Sequence, residues 1–423
     1  MLRSHPQKSC PIQLVSVGCR YNFGRQRQAL TELWRCSTTR ERTGLLTAAR
    51  SMFFEASSAL CNMNALARNH FGTLMVYTGT LLWLSLQITG AAEIEKPGIM
   101  EAYPDEFQAR IEARDRFLRS APAFERGNFG VEYVILKTSR WTPGQVLRVA
   151  FKGGDTTLHK EIADVATEWS QHANIRLDFG QSLPNSPTGS YRTWSTNDQQ
   201  YSADIRISFE WAGYWSFVGR DSINADISRP NQPSLNLASF PLYRPGNWKG
   251  IVLHEFGHAL GFQHEHQHPT GGCDGEFRWE NEAGYEPTTN RFGEYVPDSQ
   301  QRRPGLYTVL GGPPNRWSKT KIDFNLRQLP NSSAFLVSNF DTNSIMKYAF
   351  EEWMFINGRK SFCFSQINLA LSDADKRGAA QAYPHAPQEI SRMVSERKDI
   401  AERLSKSKAL PAATRETFQS LMK

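Results

Sequence analysis

Apolar and polar positions alternate along "QVLRVAF", residues 145–151, and this pattern predicts a strand. The next segment, "TTLHKEIADVATEWSQHA", places Leu158, Ile162, Val165, Ala166 and Trp169 at helical spacing. Alternation returns in "NIRLDFG" and in "ADIRISFE", residues 203–210, separated by a Ser-, Pro- and Asn-rich surface loop over 181–200. "SLNLASF", residues 234–240, reads as a further short strand. "NWKGIVLHEFGHALGF" reads as a helix that is apolar on nearly every side, hence deeply buried. Residues 270–340 have little periodicity, and a long irregular stretch inside a domain is usually functional or held by a crosslink. "LSDADKRGAAQAYP" is a helix with Ser372 as its cap and Asp373 and Asp375 in its first turn. From Pro387 the chain reads as a charged, solvated tail helix, residues 386–423.

Charge narrows the choice of partners. The net charge is +7, but residues 1–72 hold ten Lys/Arg against Glu32, Glu41 and Glu55. The rest of the chain therefore balances 39 basic with 39 acidic residues. A neutral body with no basic stripe predicts no nucleic-acid partner. Residues 73–92 contain the long uncharged run "LMVYTGTLLWLSLQITGAA", which ends in small residues as a secretory signal does, though far from the first residue. Three readings stand. It is a signal peptide with Met63 as the true start, a signal-anchor with a cytoplasmic basic tail, or a buried helix. Export is the expectation, with membrane attachment only if the run stays uncleaved. Residues 93–139 read as a propeptide or N-terminal extension, and 140–385 as the main domain, expected to be monomeric. Cys10, Cys19, Cys36 and Cys61 precede the apolar run; only Cys273 and Cys363 follow it, a candidate disulfide in an exported body.

Five of the chain's ten histidines fall between His254 and Pro269, in "HEFGHALGFQHEHQHP". His254 and His258 are one helical turn apart and face the same way. Gly261 tolerates the positive φ of a helix exit, so the chain can turn and deliver His264 as a third ligand. Three imidazoles leave one zinc position open, the layout of a catalytic site. Zinc lowers the pKa of a bound water from 15.7 toward about 7, and Glu255 stands where it can take the proton. A chance match to H-E-x-x-H-x-x-G-x-x-H in a chain this long is on the order of 1 in 100,000. His266 and His268 lack the spacing and read as surface or supporting residues.

These residues resemble the metzincin zinc endopeptidases. "SIMKY", residues 344–348, is similar to their Met-turn, with Met346 as the floor beneath zinc. Tyr348, two residues later, and Glu265, directly after His264, are similar to positions of the astacin subgroup, as are "RWTPGQVLRVAF" and the closing helix. The resemblance implies an α/β (α+β) fold with two lobes, a twisted mixed sheet, an active-site helix and a Met-turn. It implies a zinc-dependent metalloendopeptidase acting on peptide or protein substrates, with Glu255 as general base and Tyr348 as oxyanion donor. Glu265 would receive a new N-terminal amine, and Cys273 and Cys363 would lie together near the metal. "SLNLASF" would be the cleft-edge strand that pairs with substrate. The chain departs from astacins at Lys347, where they carry His, and in "EHQHP". A cysteine switch is excluded because no cysteine lies between residues 93 and 272. "FKGGD", residues 151–155, resembles an aspartate-switch motif but falls inside the domain's first strand, so latency stays open. The alternative function is a non-catalytic zinc-binding or adhesion module on the same scaffold.

Overall fold

The computed structural model describes residues 101–120, 139–181, 190–329, 339–408, 410 and 412–422. The basic leader, the apolar run 74–92 and the first four cysteines lie outside the described residues. The chain divides into two units, residues 1–94 and 95–423, and everything described lies in the second.

That unit opens with α1 (Asp105–Ser120), then β1 (Val146–Phe151) and α2 (Thr156–Ala166). "FKGGD" is the link between them. Gly153 and Gly154 take φ of +80° and +78°, and Asp155 caps α2 by accepting from Leu158 N at 2.8 Å. There follow β2 (Arg176–Asp178), β3 (Ile205–Ser208), β4 (Tyr214–Ser216) and β5 (Leu235–Leu237). They form one mixed sheet in the order β2-β1-β3-β5-β4, parallel except for the β4–β5 pair. The edge strand on the cleft side is thus Tyr214–Ser216, and the expectation that "SLNLASF" forms the edge is corrected. Asn236 lies within that stretch. It is fully buried, with Nδ2 donating to Trp211 O and Gly213 O.

The buried helix α3 (Trp248–Ala259) packs beneath this sheet. Side chains from three other segments donate to carbonyls of this helix and of its cap. Trp141 Nε1 donates to Ala259 O at 2.8 Å, Trp169 Nε1 to Leu253 O at 2.9 Å, and Tyr383 to Leu260 O. Gly261, at φ +101°, then turns the chain out of the helix.

The lower part is α4 (Cys273–Glu276), a hairpin of β6 (Thr288–Thr289) and β7 (Tyr295–Val296), α5 (Leu306–Gly311) and α6 (Lys319–Leu326). It has its own core, around Phe277, Leu310, Trp317, Phe350 and Phe355. Cys273 and Cys363 are bonded within it, with Cα atoms 5.6 Å apart. Replacing either cysteine with Ser opens a link across 90 residues and should cost up to about 4–5 kcal/mol by chain entropy. Urea unfolding with and without reductant checks this: an unchanged midpoint would contradict it.

α7 (Asp373–Ala382) closes the domain behind a capping box between Ser372 and Asp375. Beyond it the tail is two helices, α8 (Pro387–Ser405) and α9 (Ala412–Ser420), in place of one solvated helix. Met393, Ala401 and Leu404 form a buried stripe on α8, so its charge pattern hid an amphipathic face.

Candidate metal centre

His254 and His258 project from one face of α3, and the turn at Gly261 brings His264 opposite them. Each ring is oriented by an oxygen behind it. Nδ1 of His254 lies 2.6 Å from Ile345 O, Nδ1 of His258 lies 2.7 Å from Phe262 O, and Nδ1 of His264 lies 3.3 Å from Gln267 Oε1. An N–H on Nδ1 donating to these oxygens leaves a lone pair on every Nε2, and all three Nε2 atoms point inward. Nε2 of His258 and Nε2 of His264 are 3.0 Å apart. Two lone pairs at that distance repel unless a cation sits against them. Burial also pushes His264 down to about 4, helped by the charge of His258 and His254 against the pull of Glu101, which favours the neutral form that ligates metal. This donor set fits zinc.

A fourth group stands in the centre. The carboxylate of Glu101 lies 2.7 Å from His254 Nε2, 3.1 Å from His258 Nε2 and 3.3 Å from His264 Nε2. The four candidate ligand atoms all fall within 4.8 Å of one another. Burial alone would raise the Glu101 carboxyl, but the three imidazoles outweigh it and hold it well below the usual range. His254, nearest that carboxylate, is raised despite its burial. Sequence reading missed Glu101: it lies about 150 residues before the histidines and belongs to no spaced motif.

Glu255 is 1% exposed, and its Oε2 has no hydrogen-bond partner among the described residues. Burial, with Glu101 adding to it, raises its carboxyl well above the usual value. Tyr348 packs its ring 4.3 Å from that of His264, and its hydroxyl donates to Glu101 O at 2.8 Å. Met346 lies directly under α3. A Cβ on Gly257 would stand 2.3 Å from Met346 Sδ, so only glycine allows helix and turn to approach this closely. Asp375 holds the turn from below, accepting from Ser344 Oγ at 2.7 Å and Ile345 N at 2.8 Å.

Glu265 sits over the same turn. Its backbone N–H donates to Met346 O at 2.9 Å, its carboxylate accepts from Asp341 N at 2.8 Å, and burial raises it to about 7. Lys347 is buried and donates to Tyr348 O and Ser365 Oγ. His266 and His268 are not at the surface. His266 is 1% exposed, its ring stacks 5.0 Å from His264 and 4.5 Å from Tyr348, and its Nε2 lies 3.0 Å from Asn325 O. Simple alternation turned it away from His264. The 3-10 turn Glu265–Gln267 brings it back.

The three histidines thus converge above the turn that carries Met346 and Tyr348. The chain is similar to astacin-type zinc proteases. It is 31% identical over 106 residues to zinc metalloproteinase nas-2 of Caenorhabditis elegans, a match covering 25% of this chain and 36% of that one. The chain therefore spans about a third of the curated relative's length. No family model matches it. Among solved structures it is similar to myroilysin, at 28% identity and TM-score 0.43, over 59% of this chain and 98% of that one. It is also similar to high choriolytic enzyme 1, a hatching enzyme zinc-protease from the medaka fish Oryzias latipes, at 17% identity and TM-score 0.27, over 60% and 90%.

Proposed function

We propose that this chain is a zinc-dependent metalloendopeptidase, held closed by its own N-terminal segment. The observation that carries the reading is the convergence of three Nε2 atoms beside a buried, unpartnered Glu255 oxygen. His254, His258 and His264 would hold the ion. Zinc bound there would supply Lewis acidity and lower the pKa of water. The chain's own groups do the rest. Glu255 accepts the proton of the attacking water and passes it to the leaving amine. Tyr348 turns its hydroxyl from Glu101 O to the oxyanion that develops on the substrate carbonyl. The edge of β4 offers backbone groups to an extended peptide. Met346 and Asp375 fix the floor on which Tyr348 and the histidines stand.

In the closed form Glu101 fills the position that a substrate carbonyl would take. Tyr103 Oη donates to Ser216 O at 3.0 Å, on the strand where the peptide would pair. Release of residues 101–120 would open the cleft, and Glu265 is then available to a new N-terminal amine. The paired Cys273 and Cys363 favour a working place outside the reducing cytosol. Among the described residues no helix is long and apolar enough to cross a membrane. We take the exported monomer as the working form.

Casein digestion by the processed protein tests the activity. It should proceed, stop with a chelator and return on zinc addition. Zinc retention without digestion would favour the non-catalytic module. The ligand set is tested separately. His264→Ala should bring bound zinc from about one per chain to near none by metal analysis, and full retention would remove His264 from the set.

A further inference from the structure

A cavity of about 630 Å³ opens beside the metal centre, and His254, Glu255 and Tyr348 form one wall of it. A side chain next to a scissile bond would enter it. Part of its lining is apolar, including Tyr295, Leu310, Trp353 and Met354. Two carboxylates also line it, Glu294 and Glu351.

Most carboxylates of this lobe have a counter-charge. Glu282 pairs with Arg303 and Arg278, Asp298 with Arg302, Asp274 and Asp323 with Arg327, and Glu352 with Arg359. Glu294 and Glu351 have no ion pair among the described residues. Glu294 is fixed in place, accepting from Asn290 Nδ2 at 2.7 Å through Oε2 alone. One cation, Lys347, lines the cavity, but its ammonium is already committed to Tyr348 O at 3.1 Å and Ser365 Oγ at 2.8 Å. The space therefore combines an apolar shaft with unneutralised negative charge. A long aliphatic stem ending in a cation satisfies both parts, because its methylenes bury while its head meets the carboxylates. A short acidic side chain satisfies neither.

We propose that this cavity selects a lysine or arginine side chain adjacent to the scissile bond, with Glu294 and Glu351 as the charges that recognise it. The proposal rests on the peptidase reading above and extends it to a substrate class.

The test separates the two readings by measuring binding without turnover. The full chain carries Glu101→Ala, which clears the carboxylate from the site, and Glu255→Gln. Labelled peptides of one alanine-rich frame carry Lys, Arg, Met, Ala or Glu at a single variable position. Anisotropy should show the Lys and Arg peptides binding about tenfold or more tighter than the Ala and Glu peptides, with the gap narrowing as salt rises. Changing both Glu294 and Glu351 to Gln should remove the gap and leave the Met peptide unchanged. Glu351→Lys should turn the preference toward Glu. Equal affinity for the Lys and Glu peptides, or a gap that survives in the double variant, would overturn the proposal. Hydrolysis of the same peptides by the processed protein, with Glu255 intact, reports on the peptidase reading. Selective binding without cleavage would sink that reading and leave this one standing.

Discussion

Glu255→Gln is expected to leave zinc content and thermal midpoint unchanged while kcat falls by roughly 10²–10⁴-fold, the range for loss of a positioned general base. The side chain is nearly inaccessible and one oxygen has no partner, so nothing structural depends on its charge. Glutamine has almost the same shape and fills the same space. It cannot accept a proton, and it offers the incoming water a donor where a base is needed. The measurement is turnover of a fluorogenic peptide by processed protein, alongside metal analysis. Activity within tenfold of the unmodified protein, with zinc intact, would remove Glu255 from the proton path. A fall in melting temperature would instead show that the amide had disturbed α3.

The shared face of His254 and His258, with Glu255 beside them, was readable because a helix makes spacing into geometry. Residues four apart share a face whatever surrounds them. Gly261 was readable because its φ of +101° is one that side chains resist. What surrounds the site was less legible. Arg206 sits in the alternating "ADIRISFE" and by pattern should face water. It is fully buried, its guanidinium donating to Gln232 O, Ala203 O, Ser222 O and Ser228 Oγ, so a loop stands in for solvent there. Asn236 is a second buried polar residue within a strand. Alternation reports which face is polar, and a polar face can meet backbone carbonyls as well as water. Glu101 was illegible for a different reason. Its role comes from a long chain return fixed by tertiary packing, and no local period encodes it.

Glu101→Ala should release the closed form, raising peptide turnover by the unprocessed full chain on the order of 10²-fold, equivalent to about 2.7 kcal/mol. Truncating one charged group of a buried polar cluster has an effect of that size. The carboxylate is within 3.3 Å of all three imidazoles, so its removal takes away the group that blocks the centre. Glu101→Gln should fall between the two, since the amide keeps the shape and loses the charge. The rest of the segment would remain anchored. Phe107 is fully buried with its ring 5.2 Å from those of Trp211 and Phe217, Arg110 donates to Ile227 O and Gln232 Oε1, and Lys321 holds Tyr103 O and Asp105. These interactions do not touch the metal ligands but keep the segment across the β4 edge, so Phe107→Ala added to Glu101→Ala should raise turnover further. Processed protein, from which the segment has gone, sets the ceiling. The decisive comparison is between unprocessed chains. If Glu101→Ala and the double variant are no more active than the unmodified full chain, while processed protein is active, then Glu101 is a bystander and closure lies in the anchored helix.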